Sequence, residues 1–377
     1  MNVRRIQAIA RKEYYHLIRD FRSLYLAFII PLLLILLFGY ALSLDVEHIP
    51  TAVVDHDRTP QSRDLIRRLD ASVYFDVVAH PASSAALTEL LDRNEVILGL
   101  VIPPGWSADL TADRQSPLQV LIDGSDPNTA GNTRAFITAF IAQENERRLL
   151  DYLDRQGLER NRPPVEGRIR VWFNEDLESR NFIVPGIIAV IIMIVGALLT
   201  SLVVAREYEN GTMETIRSLP VRAGEFFLGK AIPYFFITLI DVLVAILMGQ
   251  VLFGVVMKAS FWLMILASAI YILVGLSIGL LISIKTKSQL VANQLAVLVT
   301  YLPSLLLSDF VFPQQNMPAP LQAVSKLVPA TYYIDILNGL YLRDLSFLQL
   351  WPSFLVLVVM AALLSALNIR ALKKEGL

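Results

Sequence analysis

Cysteine is absent from this 377-residue chain, and histidine occurs only four times. Without thiols there is no disulfide framework, no thiolate nucleophile and no cysteine-based metal site. The histidines, at 16, 48, 56 and 80, lack ligand spacing, so no metal site is expected. No Ser, His and Asp fall into a triad order, and no pair of carboxylates sits in an apolar pocket, so hydrolysis has no support and no catalytic residue is expected. A formal net charge of −1 supplies no basic excess, and no nucleic-acid partner is expected. Internal repeats and low-complexity tracts are missing too.

What the chain does have is long apolar runs. Apolar residues make up 55% of it and its mean hydropathy is +0.53, too greasy for a soluble domain. A bilayer core of about 30 Å needs roughly 20 apolar residues per helix. Runs at Leu24–Leu44, Phe182–Ala205, Leu228–Val256, Phe261–Ile284, Leu290–Leu307 and Leu348–Ile369 meet or approach that length. Because backbone groups in lipid must satisfy one another, these runs are expected as about six helices of an α-helical integral membrane protein, with the lipid bilayer as their solvent. The first run is too long for the apolar core of a signal peptide and is expected to be an uncleaved anchor.

Charge sets the expected orientation. The first 23 residues carry Arg4, Arg5, Arg11, Lys12, Arg19 and Arg22 against Glu13 and Asp20. Lys285 and Lys287 follow the fourth run, and Arg370, Lys373 and Lys374 follow the sixth. The positive-inside rule then puts both termini in the cytoplasm of a multi-pass protein. Val3, Ile6, Ala10, Tyr14, Leu17 and Phe21 recur at steps of three and four, predicting an amphipathic interfacial helix over 1–23 that leads into a first spanning helix over 24–44.

Between the first two runs lies a polar segment, 45–178, of about 134 residues. Strand-like runs at 49–55, 74–79, 96–102 and 117–123 alternate with helical ones at 59–69, 84–93, 106–111 and 129–156. A last strand is expected at Ile169–Phe173 and a turn at Arg162-Pro163-Pro164. This alternation predicts an inserted, extracytoplasmic mixed α/β domain. The remainder, 181–370, is expected as a five-helix transmembrane domain. Prolines at 313, 318, 320 and 329 argue against another full span in an outer re-entrant region over 310–345.

Three features bear on chemistry. The cytoplasmic stretch from Arg206 to Pro220 reads REYENGTMETIRSLP: Asn210-Gly211 predicts a turn, and Thr212 is expected to cap a short helix with Glu214 in its first turn. A short charged helix between two spans suits gripping by a motor subunit, and equally an ordinary connecting loop. Asp241 falls near the middle of the third span, where a carboxylate costs about 2.5–3.5 kcal/mol and must face water or a partner. With Asn293 and Gln294 of the fifth span it could line a translocation path or serve as an interhelical polar contact. Finally, Gly224-(four residues)-Gly229-Lys230 imitates a phosphate-binding loop, but Ala231 replaces the Mg²⁺-binding hydroxyl and the interior Glu-Phe-Phe-Leu is bulky, so nucleotide is not expected here.

The stretch 206–230 resembles the signature of ABC-2 type export permeases. So do Lys12-Glu13 and Arg19-Asp20, Val54-Asp55-His56-Asp57, Asp123 to Ala130, Asn181 to Gly186, Leu307 to Pro313 and Asn316-Met317-Pro318. The resemblance covers essentially the whole chain and points to the bacterial multidrug and lipid export branch that carries a large extracytoplasmic domain. It implies a permease subunit in the bacterial inner membrane, driven by separate ATP-binding subunits that hold the ATP and Mg, with no cofactor in this chain. It further implies pairing with a second permease copy or a paralogue, a periplasmic adaptor as a further partner, and hydrophobic or amphipathic cargo such as drugs or lipids. Glu207, Glu209, Gly211, Thr212, Glu214 and Pro220 would then form the coupling element. The rival reading is a ligand-binding sensor or anchor without transport. It would want a cytoplasmic output domain, whereas eight residues follow Ile369. A secondary transporter would want inverted repeats and paired intramembrane charges.

Overall fold

The computed structural model describes residues 1–41, 48–112, 114–155, 173–174 and 178–377. Two compact units emerge, one from Met1–Ser43 with Arg170–Leu377 and one from Leu44–Ile169. The expected turn at 162–164 and nearly all of the strand expected at 169–173 fall outside the described residues, as does the end of the first apolar run.

In the first unit α1 (Val3–Arg19) leads into α2 (Phe21–Ala41). Then come α7 (Arg180–Glu209), α8 (Thr212–Ser218), α9 (Ala223–Phe253), α10 (Phe261–Thr286) and α11 (Gln289–Ala296). After them run α12 (Leu302–Leu306), α13 (Ala319–Ser325), α14 (Pro329–Tyr341) and α15 (Phe347–Lys374). Among the described residues five helical stretches are long and apolar enough to cross a membrane: α7, α9, α10, the run Gln289–Leu306 and α15. In α2 the apolar part, Ala27–Tyr40, is shorter.

α7 is the central post. Its most apolar stretch is 94% buried, against 33% for α9 and 22% for α15, whose remaining faces are open Leu, Val, Ile and Phe. An all-round apolar helix belongs in the middle of a bundle, and half-apolar exposure suits a lipid-facing position. α10 packs closest to it because of Gly279: a Cβ there would come within 2.3 Å of the Ala197 carbonyl oxygen. Thr200 seals this crossing by donating to the Leu276 carbonyl at 3.1 Å.

Helix direction is legible from the ends. Tyr40 lies against Phe253, with ring centroids 4.9 Å apart, so the end of α2 meets the end of α9 and α2 runs the length of the bundle. The fifth apolar run is not one regular helix: a π-helical segment, Val297–Tyr301, separates α11 from α12. Pro303, the second residue of α12, has no N–H to donate, and the wider turn accommodates the break. Over 310–345 the chain forms only short pieces. The longest, α14, has 13 residues and is roughly 20 Å long, too short to cross. It is nonetheless buried, with Tyr333 stacked 4.1 Å from Tyr271 and hydrogen-bonded to Ser268 at 2.7 Å.

The second unit is a mixed α/β sheet. Strands β1 (Ile49–Asp55), β2 (Phe75–Ala79), β3 (Leu98–Ile102) and β4 (Gln119–Ile122) line up in the order β2-β1-β3-β4. β1 is parallel to both β2 and β3, and β4 runs antiparallel to β3. Between them lie α3 (Pro60–Asp70), α4 (Ser84–Asp92) and α5 (Trp106–Thr111), and α6 (Pro127–Arg155) follows. The step from β1 goes one way across the sheet and the step from β2 to β3 goes back past it. Right-handed crossovers in opposite directions must place α3 and α4 on opposite faces. Accordingly Val53 packs with Leu65, Leu69 and Trp106, while Ala52 and Val54 pack with Leu87. A bidentate Arg68–Glu144 pair, 2.7 and 3.0 Å, pins α3 to α6.

Candidate coupling site

At one end of the bundle α7 stops where Asn210-Gly211 turns the chain. Gly211 has φ +69°, a conformation that favours glycine, and it is Gly211 rather than Thr212 that occupies the N-cap of α8. Met213 is buried and anchors α8 from below, whereas Thr212, Glu214, Thr215, Ser218, Leu219 and Pro220 are exposed. After Pro220 the chain reverses into α9, where Glu225 accepts from the backbone N–H groups of Arg222 (3.1 Å) and Asn2 (2.6 Å).

Beneath α8 lies a buried ionic cluster. Lys230 is 1% exposed, and its Nζ donates to Glu13 Oε1 at 2.6 Å and Glu207 Oε1 at 2.5 Å. Lys12 Nζ donates to the same Glu207 oxygen at 2.6 Å, and Thr212 donates its hydroxyl to the other. Two ammonium groups and two carboxylates thus balance in a site where a lone charge would cost several kcal/mol. Arg206 and Asp20 add a further pair at 3.2 Å. Close approach of α1 to α9 depends on Gly229, where a Cβ would meet Ile9 Cβ at 2.6 Å. The two residues that gave the sequence its phosphate-loop appearance, Gly229 and Lys230, are therefore a helix-packing contact and an ion-pair centre within α9.

This cluster also reorients α1. The face turned to the bundle carries the buried Glu13 and Leu17, with Ile9 packed against the core. Of the stripe expected from the sequence, Val3, Tyr14 and Phe21 are exposed instead. The attraction of Glu13 for Lys230 decides which side of the helix turns inward.

A second polar knot fixes the same end. Glu375, just past α15, accepts from Tyr208 (2.6 Å), Lys287 (2.8 Å) and Arg217 (3.1 Å). Hydrogen bonding from Lys287, then from Tyr208, holds its carboxyl below the ordinary glutamate range. Glu209 accepts from the backbone N–H (2.7 Å) and side chain (2.5 Å) of Gln289, capping the start of α11. The short helix is thereby tied to α7 through Thr212 and Arg217 and to the end of α15 through Arg217, and α7 is in turn bonded to α1, α9 and α11.

The six residues expected in the coupling element therefore divide. Glu207 lies on the last turns of α7, buried with Thr212 against it; Glu209 caps α11; Gly211 makes the turn; Glu214 and Pro220 face outward. Glu214 has no polar partner among the described residues. What the sequence did not reveal was the partnership of Lys230 with Glu13. The available signal was a lysine one turn or so inside a spanning helix and a glutamate inside an arginine-rich amphipathic one, each needing a counter-ion.

Asp241 is 4% exposed in the middle of α9, and neither carboxylate oxygen has a hydrogen-bond partner among the described residues. Thr238, one turn away, is equally unpartnered. Asn293 is half-buried and Gln294 exposed on α11, and among the described residues no hydrogen bond joins either to Asp241.

A bundle of apolar helices with its charged helix ends knotted at one side defines a multi-pass membrane protein built around a short exposed helix. The chain belongs to the ABC-2 transporter family: the sequence model described as ABC-2 family transporter protein matches residues 21–370. It is 35% identical over 343 residues to the probable multidrug ABC transporter permease YbhS of Escherichia coli, covering 90% of this chain and 89% of that one. Similarity to the probable multidrug ABC transporter permease YbhR of the same organism is 29% over 358 residues, 95% of each. The ABC transporter G family member 20 of Dictyostelium discoideum shares 22% identity over 370 residues, which is 98% of this chain and 50% of that protein. These relatives make the chain a permease of the ABC transporter class, a membrane component.

Proposed function

We propose that the chain is the membrane-spanning half of an ATP-driven exporter of hydrophobic or amphipathic compounds, and that α8 is where a separate ATP-binding subunit pushes. The observation that carries this reading is the contrast within α8. Its outer face, with Glu214 unpaired among the described residues, is free, while its base is bonded to α7 and to Glu375 past α15, and α7 is bonded in turn to α1, α9 and α11. A load applied to such a helix moves the bundle instead of bending a loop. ATP and Mg belong on the partner chain in this scheme, and a second permease copy or a paralogue would complete the path; a periplasmic adaptor is a further proposed partner.

The proposed orientation puts the knotted end in the cytoplasm of a bacterial inner membrane. The positive-inside rule favours it, since Arg4, Arg5, Arg11, Lys285, Lys287, Lys373 and Lys374 gather on helices that end there. With α2 as a sixth crossing both termini fall on that side and the sheet unit falls outside. Relatives named as probable multidrug permeases support the cargo class. The test is co-expression with the ATP-binding subunit and measurement of drug efflux and of ATPase stimulation. Glu214→Lys should lower both by about tenfold with normal membrane insertion, and full activity in that variant would place the contact elsewhere.

A further inference from the structure

On the side of α1 turned away from the ionic cluster lies an apolar groove of about 540 Å³, within the range of about 300–1,000 Å³ typical of ligand sites. Tyr14 and Ile18 of α1, Phe28 of α2, and Ile232, Phe236 and Ile240 of α9 line it. Among the described residues Arg11 is the one charged residue in its walls.

We propose that this groove binds an anionic phospholipid of the surrounding leaflet, an acyl chain lying along α9 and the phosphate held at Arg11. Three observations support that occupant. Arg4, Arg11 and Arg19 are seven and eight residues apart, so they share one face of α1, and they are exposed. Arg4 and Arg19 have no side-chain partner among the described residues, and Arg11 reaches only Tyr15, at 3.4 Å. On the same side Tyr14, Tyr15 and Ile18 are about half exposed, and a face mixing arginine with aromatic and aliphatic side chains belongs at headgroup depth. From Ile232 to Ile240 the groove follows α9 for roughly 12 Å along its axis, the direction an acyl chain takes in a bilayer. A lipid seated there adds to the α1–α9 contact made at Gly229, from the opposite edge of α1.

The test is native mass spectrometry of the full-length chain in detergent, titrated with phosphatidylglycerol or phosphatidylcholine. The expected result is preferential retention of phosphatidylglycerol. Arg11→Gln should weaken it about fivefold, the effect of one basic residue near an anionic surface. Ile232→Trp, at a position 37% exposed and so tolerant of the larger ring, should fill the groove and reduce retention of both lipids. Lys326→Gln, an exposed charge outside the groove, should leave retention unchanged. Equal retention of the two lipids by the unaltered chain, or unchanged phosphatidylglycerol binding in Arg11→Gln, would overturn the proposal. So would an Ile232→Trp chain that keeps its lipid but changes from dimer to monomer, since the groove would then hold a second copy. Neither ATP nor a partner subunit takes part, so the outcome is independent of the coupling reading.

Discussion

Lys230 makes the most exacting demand of any single residue. An ammonium 1% exposed is tolerable only while Glu13 and Glu207 face it. Removing one partner of a buried pair typically costs about 3–5 kcal/mol. Glu207→Gln and Lys230→Met should each lower the detergent-solubilised melting temperature and expose α1 to protease. The double variant Glu207→Gln/Lys230→Met should lose less than the sum, because the Glu207–Lys230 pair is counted in both single losses, although Glu13 is then left with Lys12 alone, 3.9 Å away. Strict additivity would mean the two side chains act independently. Asp241 poses the opposite case, a buried carboxylate with both oxygens unpartnered. Asp241→Asn should preserve expression and leave stability equal or higher, since no ion pair is broken. If this position lines the path, efflux rate or its dependence on pH between 5 and 8 will change; an unaltered efflux profile would assign Asp241 a packing role.

Among elements, α8 and the C-terminal end of α15 are coupled through Glu375. The carboxyl is held below the ordinary range by Lys287 and Tyr208, so its stabilising contribution is present above about pH 4.3 and fades as pH falls through the lowered value. Glu375→Gln should abolish that acid-side component and raise hydrogen exchange in residues 370–377 at neutral pH; identical exchange in the two proteins would count against the staple. Most elements were legible beforehand. Every strand and helix expected between 49 and 156 appears within a few residues of its place, because short β-rich runs and serine or threonine caps such as Ser83 and Thr59 are local signals. The pairs Lys12–Glu207 and Glu13–Lys230 were not legible, because they are joined across 195 and 217 positions of sequence and no local pattern encodes such a distance. The π-helical break at Val297–Tyr301 was missed for a different reason: composition registers how apolar a run is, not how its hydrogen bonds are spaced.

At the scale of the whole molecule, this member of the ABC-2 family has a buried post, α7, surrounded by helices with open apolar faces, and one exposed short helix at the charged end. A reporter fused after Leu377 should lie in the cytoplasm and one inserted at Gly124 outside, and finding both on one side would undo the proposed orientation. The absence of native cysteine makes the central claim directly measurable, since any introduced thiol is unique. A Glu214→Cys chain, co-expressed with its ATP-binding subunit in membranes and treated with a thiol-anchored photo-crosslinker, should be labelled only from the cytoplasmic side and should yield a permease–ATPase adduct, while Lys258→Cys at the opposite end of α9 should yield none. Labelling of Glu214→Cys from outside, or a properly inserted protein that forms no adduct, would contradict the claim that α8 receives the stroke.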